Sequence, residues 1–323
     1  MYKKIGYAIA FAALLAAPFV VYPVFLMKVL CFVLFACAFN LLIGFTGLLS
    51  FGHAAFFGSA GYVTGYALTK MGLPTELGLI LGTAAGALIG LVMGSLAIRR
   101  QGIYFTMITL ALAQMLYFVA LQAPFTGGED GLQGVPRGKL LGTLDLSSDL
   151  LMYYVVMAIV VAAFALIGRI VHSPFGQVLK AIKENEPRAI SLGYDVDRYK
   201  LLAFVLSAAL SGLAGSTKTL VLGFETLTDV HWSMSGLVVL MTLVGGLGTL
   251  VGPIVGAIVI IALENKLGEF GNLLAEVTTI EWFRSLGESV TIVTGFIFIV
   301  CVLAFRRGIV GEIAARLKRP SAR

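Results

Sequence analysis

The side chains able to make or break covalent bonds are few in this chain and stand far apart. His53, His172 and His231 are scattered, with no HExxH motif and no paired-carboxylate spacing near them. Cys31, Cys37 and Cys301 each lie inside an apolar run and read as small buried hydrophobes rather than metal ligands or a disulfide framework. The stretch GLAGSTKT (212–219) is superficially like a phosphate-binding loop. It fails the spacing G-x-x-x-x-G-K-[ST], because Thr217 stands before Lys218 where glycine is required. No catalytic residue and no metal site is assigned, and the chain is expected to carry no cofactor of its own. The chemistry that remains is recognition and passage.

Candidates for passage are polar residues inside apolar stretches. Val29 to Thr69 holds no Asp, Glu, Lys or Arg, yet it contains Asn40, Thr46, Ser50 and His53. Six glycines fall within 44–65, which makes a poor straight helix. A broken or re-entrant helix is one reading, tolerated where protein or a cavity covers the freed backbone. Close helix packing through small residues is the other. The grouping of the glycines with Asn40 and His53 favours a pathway or gate. In YFTMITLALAQMLYF, Thr106, Thr109, Ala113 and Gln114 share one helical face. They line a pathway, or the threonines bond to their own helix. Gly78, Gly82, Gly86, Gly90 and Gly94 recur every four residues and predict a flat face for tight helix contact.

Candidates for recognition lie in the longest polar run between two apolar blocks, Arg169 to Lys200. Phe175, Val178, Leu179, Ile182, Ala189 and Ile190 fall mostly three or four residues apart, with Lys180, Lys183, Glu184, Asn185 and Arg188 between them. Pro187 allows a kink or a fresh start, and Gly193 marks a stop. Asp195 or Asp197 caps the helix that follows. Two short helices outside a bilayer would present an apolar ridge with charged flanks. That shape suits a groove on another protein, or rests on lipid headgroups.

The elements that position these residues follow from composition. Hydrophobic residues make up 59% and charged residues 12%, against roughly 25% charged in a soluble domain. The chain reads as an all-α integral membrane protein forming one transmembrane domain over 1–323, with Gly-rich broken segments and a loop of short docking helices. Ten spans are predicted, near 5–27, 29–46, 53–69, 77–98, 103–123, 151–169, 201–222, 235–247, 251–266 and 289–305. The basic start and apolar run of 1–23 are too long for a signal peptide and serve as the first span. Lys3 and Lys4, Arg99 and Arg100, six basic residues in 169–200 and six from Arg306 onward gather sixteen of the 23 basic residues on one side. The positive-inside rule makes that side the cytoplasm, with both termini, the 170–199 loop and the basic tail 306–323. The net charge of +6 thus tracks orientation and not nucleic-acid binding. Residues 124–150 form the longest external loop. Glu129 and Asp130 there, with Glu225 and Asp229 after the seventh span, are candidate landing points for an external partner. Residues 267–288 are expected to form a polar external loop.

Val230–Leu263 lacks any Asp, Glu, Lys or Arg, unlike the relays of ion-coupled carriers. Energy must come from a partner, or transport runs downhill. The segment KENEPRAISLG resembles the conserved EAA loop of ABC importer permeases, with Glu186, Ala189 and Gly193 in its key places and Pro187-Arg188 where the generic motif has Ala-Ala. NLLIGFTGLLSFGHAAFFG from Asn40, TGGEDGL from Thr126, GGLGTLVGPIVGA from Gly245 and RGIVG from Arg307 together resemble the LivM-type permease family of branched-chain amino acid importers. The resemblance implies two cytoplasmic ATPases docked at 176–193, with Lys183, Glu184, Glu186, Arg188, Ala189 and Gly193 as coupling residues and ATP and Mg2+ bound by those partners. It implies a homologous LivH-type permease beside this chain and a periplasmic binding protein delivering Leu, Ile or Val across a bacterial inner membrane. Urea, short-amide or other small-solute permeases share the pattern; a downhill channel is the remaining class.

Overall fold

The computed structural model describes residues 12, 14–140, 142, 144–278, 295–296, 299 and 308–312. Residues 5–11 and 13 of the expected first span 5–27, most of the span 289–305, loop residues 279–288 and most of the tail 306–323 lie outside the described residues.

Pro23–Thr46 forms α1, opened by Pro23 in its first turn and closed by Gly47 in the left-handed region (φ 78°), whose N–H bonds Ile43 O. Its start at Pro23 runs across the boundary expected near 27–29, because proline begins a helix well. Nearly every side chain from Met27 to Thr46 is buried, on all sides of the helix. A helix apolar all round belongs at the centre of a bundle. Around it stand α2 (His53–Thr69), α3 (Thr75–Ala97), α4 (Ile103–Gln122) and α5 (Asp149–His172). Two short helices follow, α6 (Pro174–Glu184) and α7 (Glu186–Ser191), then the long α8 (Val196–Leu222). The single turn α9 (Leu227–Val230), α10 (Trp232–Gly245) and α11 (Gly252–Thr278) complete the described chain. Among the described residues five helices, α1, α3, α4, α5 and α8, are long and apolar enough to cross a membrane, and α10 and the first part of α11 are shorter apolar helices.

The remaining expected spans each fall on one of these helices. Helix α11 continues through 267–278, where a polar loop was expected. Leu267, Phe270, Leu273, Leu274 and Val277 keep a helical spacing there despite the polar residues between them.

The four-residue glycine repeat of α3 packs on α2 and α8. A Cβ at Gly82 would collide with Ser216 Oγ and Thr64 Oγ1, and one at Gly86 would lie 3.0 Å from the Gly212 Cα. Small residues therefore set the spacing of this three-helix layer. Residues 124–150 fold over one end of the bundle. Within them β1 (Leu132–Gln133) pairs antiparallel with β4 (Phe224–Glu225), and β2 (Lys139–Leu140) with β3 (Leu144–Asp145). Arg137 ties the loop down, 2.5 Å from Asp149 Oδ1 and donating to Val221 O at 3.2 Å. Asp145 at its edge accepts from the Ser147 hydroxyl and N–H, which hold its carboxyl below the usual carboxylate range.

Candidate functional site

The candidate docking stretch starts with a capped helix. Ser173 Oγ accepts the Gly176 N–H and Pro174 sits in the first turn of α6. Asn185 Oδ1 then accepts the Arg188 N–H and starts α7. Gly193 takes φ 85°, its N–H on Ile190 O, a position that favours glycine. Of the two candidate caps for α8 it is Asp195 that accepts, from the Arg198 N–H. Leu179 and Ile182 are buried, Ala189 packs with Ile182 and Val196, and Phe175 stacks on Tyr199. Ile190 and Leu192 stand 57% and 69% exposed, an uncovered apolar ridge beside exposed Glu184, Arg188 and Gly193.

Two of the coupling candidates also bond to other helices of the chain, half-buried Glu186 and exposed Lys183. Glu186 Oε1 accepts Lys200 Nζ at 2.6 Å and Gln101 Nε2 at 3.0 Å, tying α7 to α8 and to the turn before α4. Lys183 donates to Gly44 O at 2.7 Å, near the end of α1. Between them opens a polar cleft of about 250 Å³ lined by Thr46, Gln101, Lys183, Glu186 and Lys200 among others. Lys200 and Gln101 were not singled out from the sequence. The available signal was a lysine in the first turns of a membrane helix, where the dipole disfavours a cation unless an anion answers it.

The pathway candidates separate into two groups. Asn40 clamps the turn between α10 and α11: its Nδ2 donates to Thr249 O at 2.9 Å and its Oδ1 accepts the Gly248 N–H at 3.0 Å. Ser50, Thr106 and Thr109 hold the non-helical chain 47–52 between α1 and α2. Thr106 Oγ1 donates to Leu49 O, Thr109 Oγ1 accepts the Phe51 N–H, and Ser50 Oγ accepts the Gly52 N–H. Ser235 bonds both Phe51 O and the Ala54 N–H. Freed backbone groups thus find side-chain partners inside the protein, as an apolar surrounding demands. Thr46 bonds back to Leu42 O, and Gln114 is half-buried on α4. His53 is fully buried among Phe39, Phe56 and Phe204, ring edges against faces. Ser207 Oγ donates to Ala38 O, so it accepts from His53 Nε2 at 2.8 Å.

The external candidates also divide. Glu129 and Asp130 are exposed in a helical turn. Glu225 and Asp229 are not available for landing, which corrects the expectation: they are 0% and 4% exposed and enclose Lys218. Lys218 Nζ lies 3.4 Å from Glu225 Oε2 and closer to Asp229 Oδ2. Thr219 Oγ1 donates to Glu225 Oε2 at 2.5 Å, and Thr226 caps α9 reciprocally with Asp229. Desolvated carboxylates need such partners, and the lysine that supplies them stands near the C-terminal end of α8. Among the described residues no group of three His, Cys, Asp or Glu side chains is placed to hold a metal.

Packed apolar helices with polar side chains spent on breaks between them define a multi-pass membrane protein. The chain belongs to the family described as branched-chain amino acid transport system / permease component, whose model matches residues 23–302. It is 26% identical over 263 residues to the high-affinity branched-chain amino acid transport system permease protein LivM of Salmonella typhimurium, covering 74% of this chain and 62% of that one. The Escherichia coli LivM matches to the same extent. The autoinducer 2 import system permease protein LsrC of Yersinia pestis is 27% identical over 220 residues, 65% of this chain and 61% of LsrC. The chain thus spans less than two thirds of the length of these relatives. A chain of PsaBC from Streptococcus pneumoniae in complex with Fab aligns with 90% of this chain and 95% of its own length, at a TM-score of 0.42 and 17% identity.

Proposed function

We propose that this chain is a LivM-type permease subunit of an ATP-driven ABC importer that carries Leu, Ile or Val. Its partners are a homologous LivH-type permease, two cytoplasmic ATPases and a periplasmic binding protein, and it works in a bacterial inner membrane. Ten crossings leave both termini and α6–α7 in the cytoplasm. The observation that carries the reading is the pair α6–α7: its apolar ridge is uncovered while its inner face is fastened to α1, α4 and α8. A docked motor protein has something to grip and something to move. Catalysis of ATP hydrolysis belongs to the partners and not to this chain.

The test is uptake into vesicles holding the four-subunit complex with binding protein added. Radiolabelled leucine should enter only with ATP inside the ATPase compartment, and isoleucine and valine should compete. Competition by urea in place of isoleucine moves the chain to the short-amide branch. Competition by autoinducer 2 moves it toward LsrC, which the similarity to that permease makes the second reading. Leucine flux that ignores ATP makes the chain a facilitator.

A further inference from the structure

The last carbonyls of a helix have no partner within it and carry its negative end. In α1 one of them, Gly44 O, receives Lys183 Nζ from α6 at 2.7 Å. Lys180, one turn earlier on α6, sits over the Phe45 ring with Nζ 5.8 Å from its centroid. Two cations of the docking helix are therefore applied to the same end of the central helix. The stem of Lys183 also lies along Gly47, where a Cβ would come within 3.2 Å of its Cγ.

The same turn of α1 grips a second element. Asn40 bonds both Gly248 N–H and Thr249 O. Gly44 has no side chain to hold the two apart: a Cβ there would collide with Asn40 Oδ1 and lie 2.9 Å from the Gly248 nitrogen. The gripped turn joins α10 to α11 through Gly246 (φ 121°) and Gly248 (φ 73°), conformations other residues rarely adopt. Helices α10 and α11 touch backbone to backbone beyond it, through Gly245 against Gly252 and Gly256 against Met241. No side chain stands between the two backbones there.

We infer that Lys183 is a positioning residue that transmits displacement of α6–α7 to the glycine turn between α10 and α11, through the Gly44 carbonyl and the Asn40 amide. The inference rests on the importer reading, and it gives Lys183 a role inside this chain rather than at the ATPase surface. The bond is single and charge-assisted, so it follows α6 when α6 moves. Asn40 fixes the turn to α1 at two points, so the turn follows α1.

The test uses the reconstituted complex and reads leucine imported per ATP hydrolysed. In Lys183→Met that ratio should fall about tenfold, within the range for coupling between sites. Lys183→Arg, which can still donate to the carbonyl, should recover most of it. Asn40→Ala should lower the ratio likewise, and Lys183→Met with Asn40→Ala should be no worse than the poorer single variant, since both cut one line. If Lys183→Met does not accumulate, Lys183→Gln, uncharged but still a donor, takes its place with a smaller drop expected. A purely structural role lowers complex yield, uptake and hydrolysis together and leaves the ratio at the wild-type value, which overturns the inference. Additive losses in the double variant overturn it too. If the unsubstituted complex shows no ATP-driven uptake, it is the importer reading that fails first, and this inference with it.

Discussion

At its C-terminal end α8 holds Lys218 against Glu225 and Asp229, with side chains no more than 5% exposed, while at its other end Lys200 meets a Glu186 that is 23% exposed. The two lysines are 18 residues apart, about 27 Å along the helix. Both are buried and both are paired, but their surroundings differ. The Lys218 group is sealed by α2, where a Cβ at Gly61 would meet the Glu225 carboxyl, and by the β1–β4 pairing above it. The Lys200 pair opens on the polar cleft beside the docking helices. One end of α8 is built to stay and the other to give way, because water can take over from a lost partner only at the second.

Lys218→Met tests the contrast most severely. It leaves the Asp229 carboxylate buried without its cation, a loss of about 3–5 kcal/mol. The purified variant should unfold in denaturant far earlier than the wild type, and Lys218→Met with Asp229→Leu should regain part of the loss. Lys200→Met should cost about 1 kcal/mol, because Glu186 keeps Gln101 Nε2 and reaches the cleft. Equal losses at the two ends would abolish the distinction drawn here.

The same contrast marks what was legible in the sequence. The apolar runs gave the helices of the core, because length and the lack of charge decide a membrane helix with little help from tertiary structure. The α3 glycine face and the two short helices α6 and α7 were legible for the same reason: each follows from spacing along one element. Pairings between elements were not. Lys218 stands in an apolar helix with no visible partner until Gly223 turns the chain and brings Glu225 and Asp229 back over it. Thr106 and Thr109 read equally as pathway or self-bonded until the chain 47–52 is seen lying across them. Lys183 and Glu186 carry charges that suggest an outward task, and only the neighbouring α1 and α8 show where those charges point. A sequence pattern fixes a face, and the neighbour fixes its meaning.

The pH dependence of stability tests how dry the sealed end is. Burial pushes the Glu225 carboxyl up to about 8, against the pull of Lys218, and nearby Asp229 raises it further. With Glu225 protonated, Lys218 and Asp229 form a neutral pair and the group carries no net charge. An acid whose folded-state value lies above its unfolded one keeps a proton that the unfolded chain has already released. Stability contributed by that proton is therefore present at low pH, declines as pH rises from about 4.5 toward about 8, and is gone above that. Glu225→Gln has no such proton to lose. The midpoint of thermal unfolding, followed from pH 5 to pH 8, should fall less steeply in Glu225→Gln than in the wild type, and subtraction cancels the titration of every other group. Coincident curves would mean that water reaches Glu225, and the two ends of α8 would then differ in geometry but not in solvation.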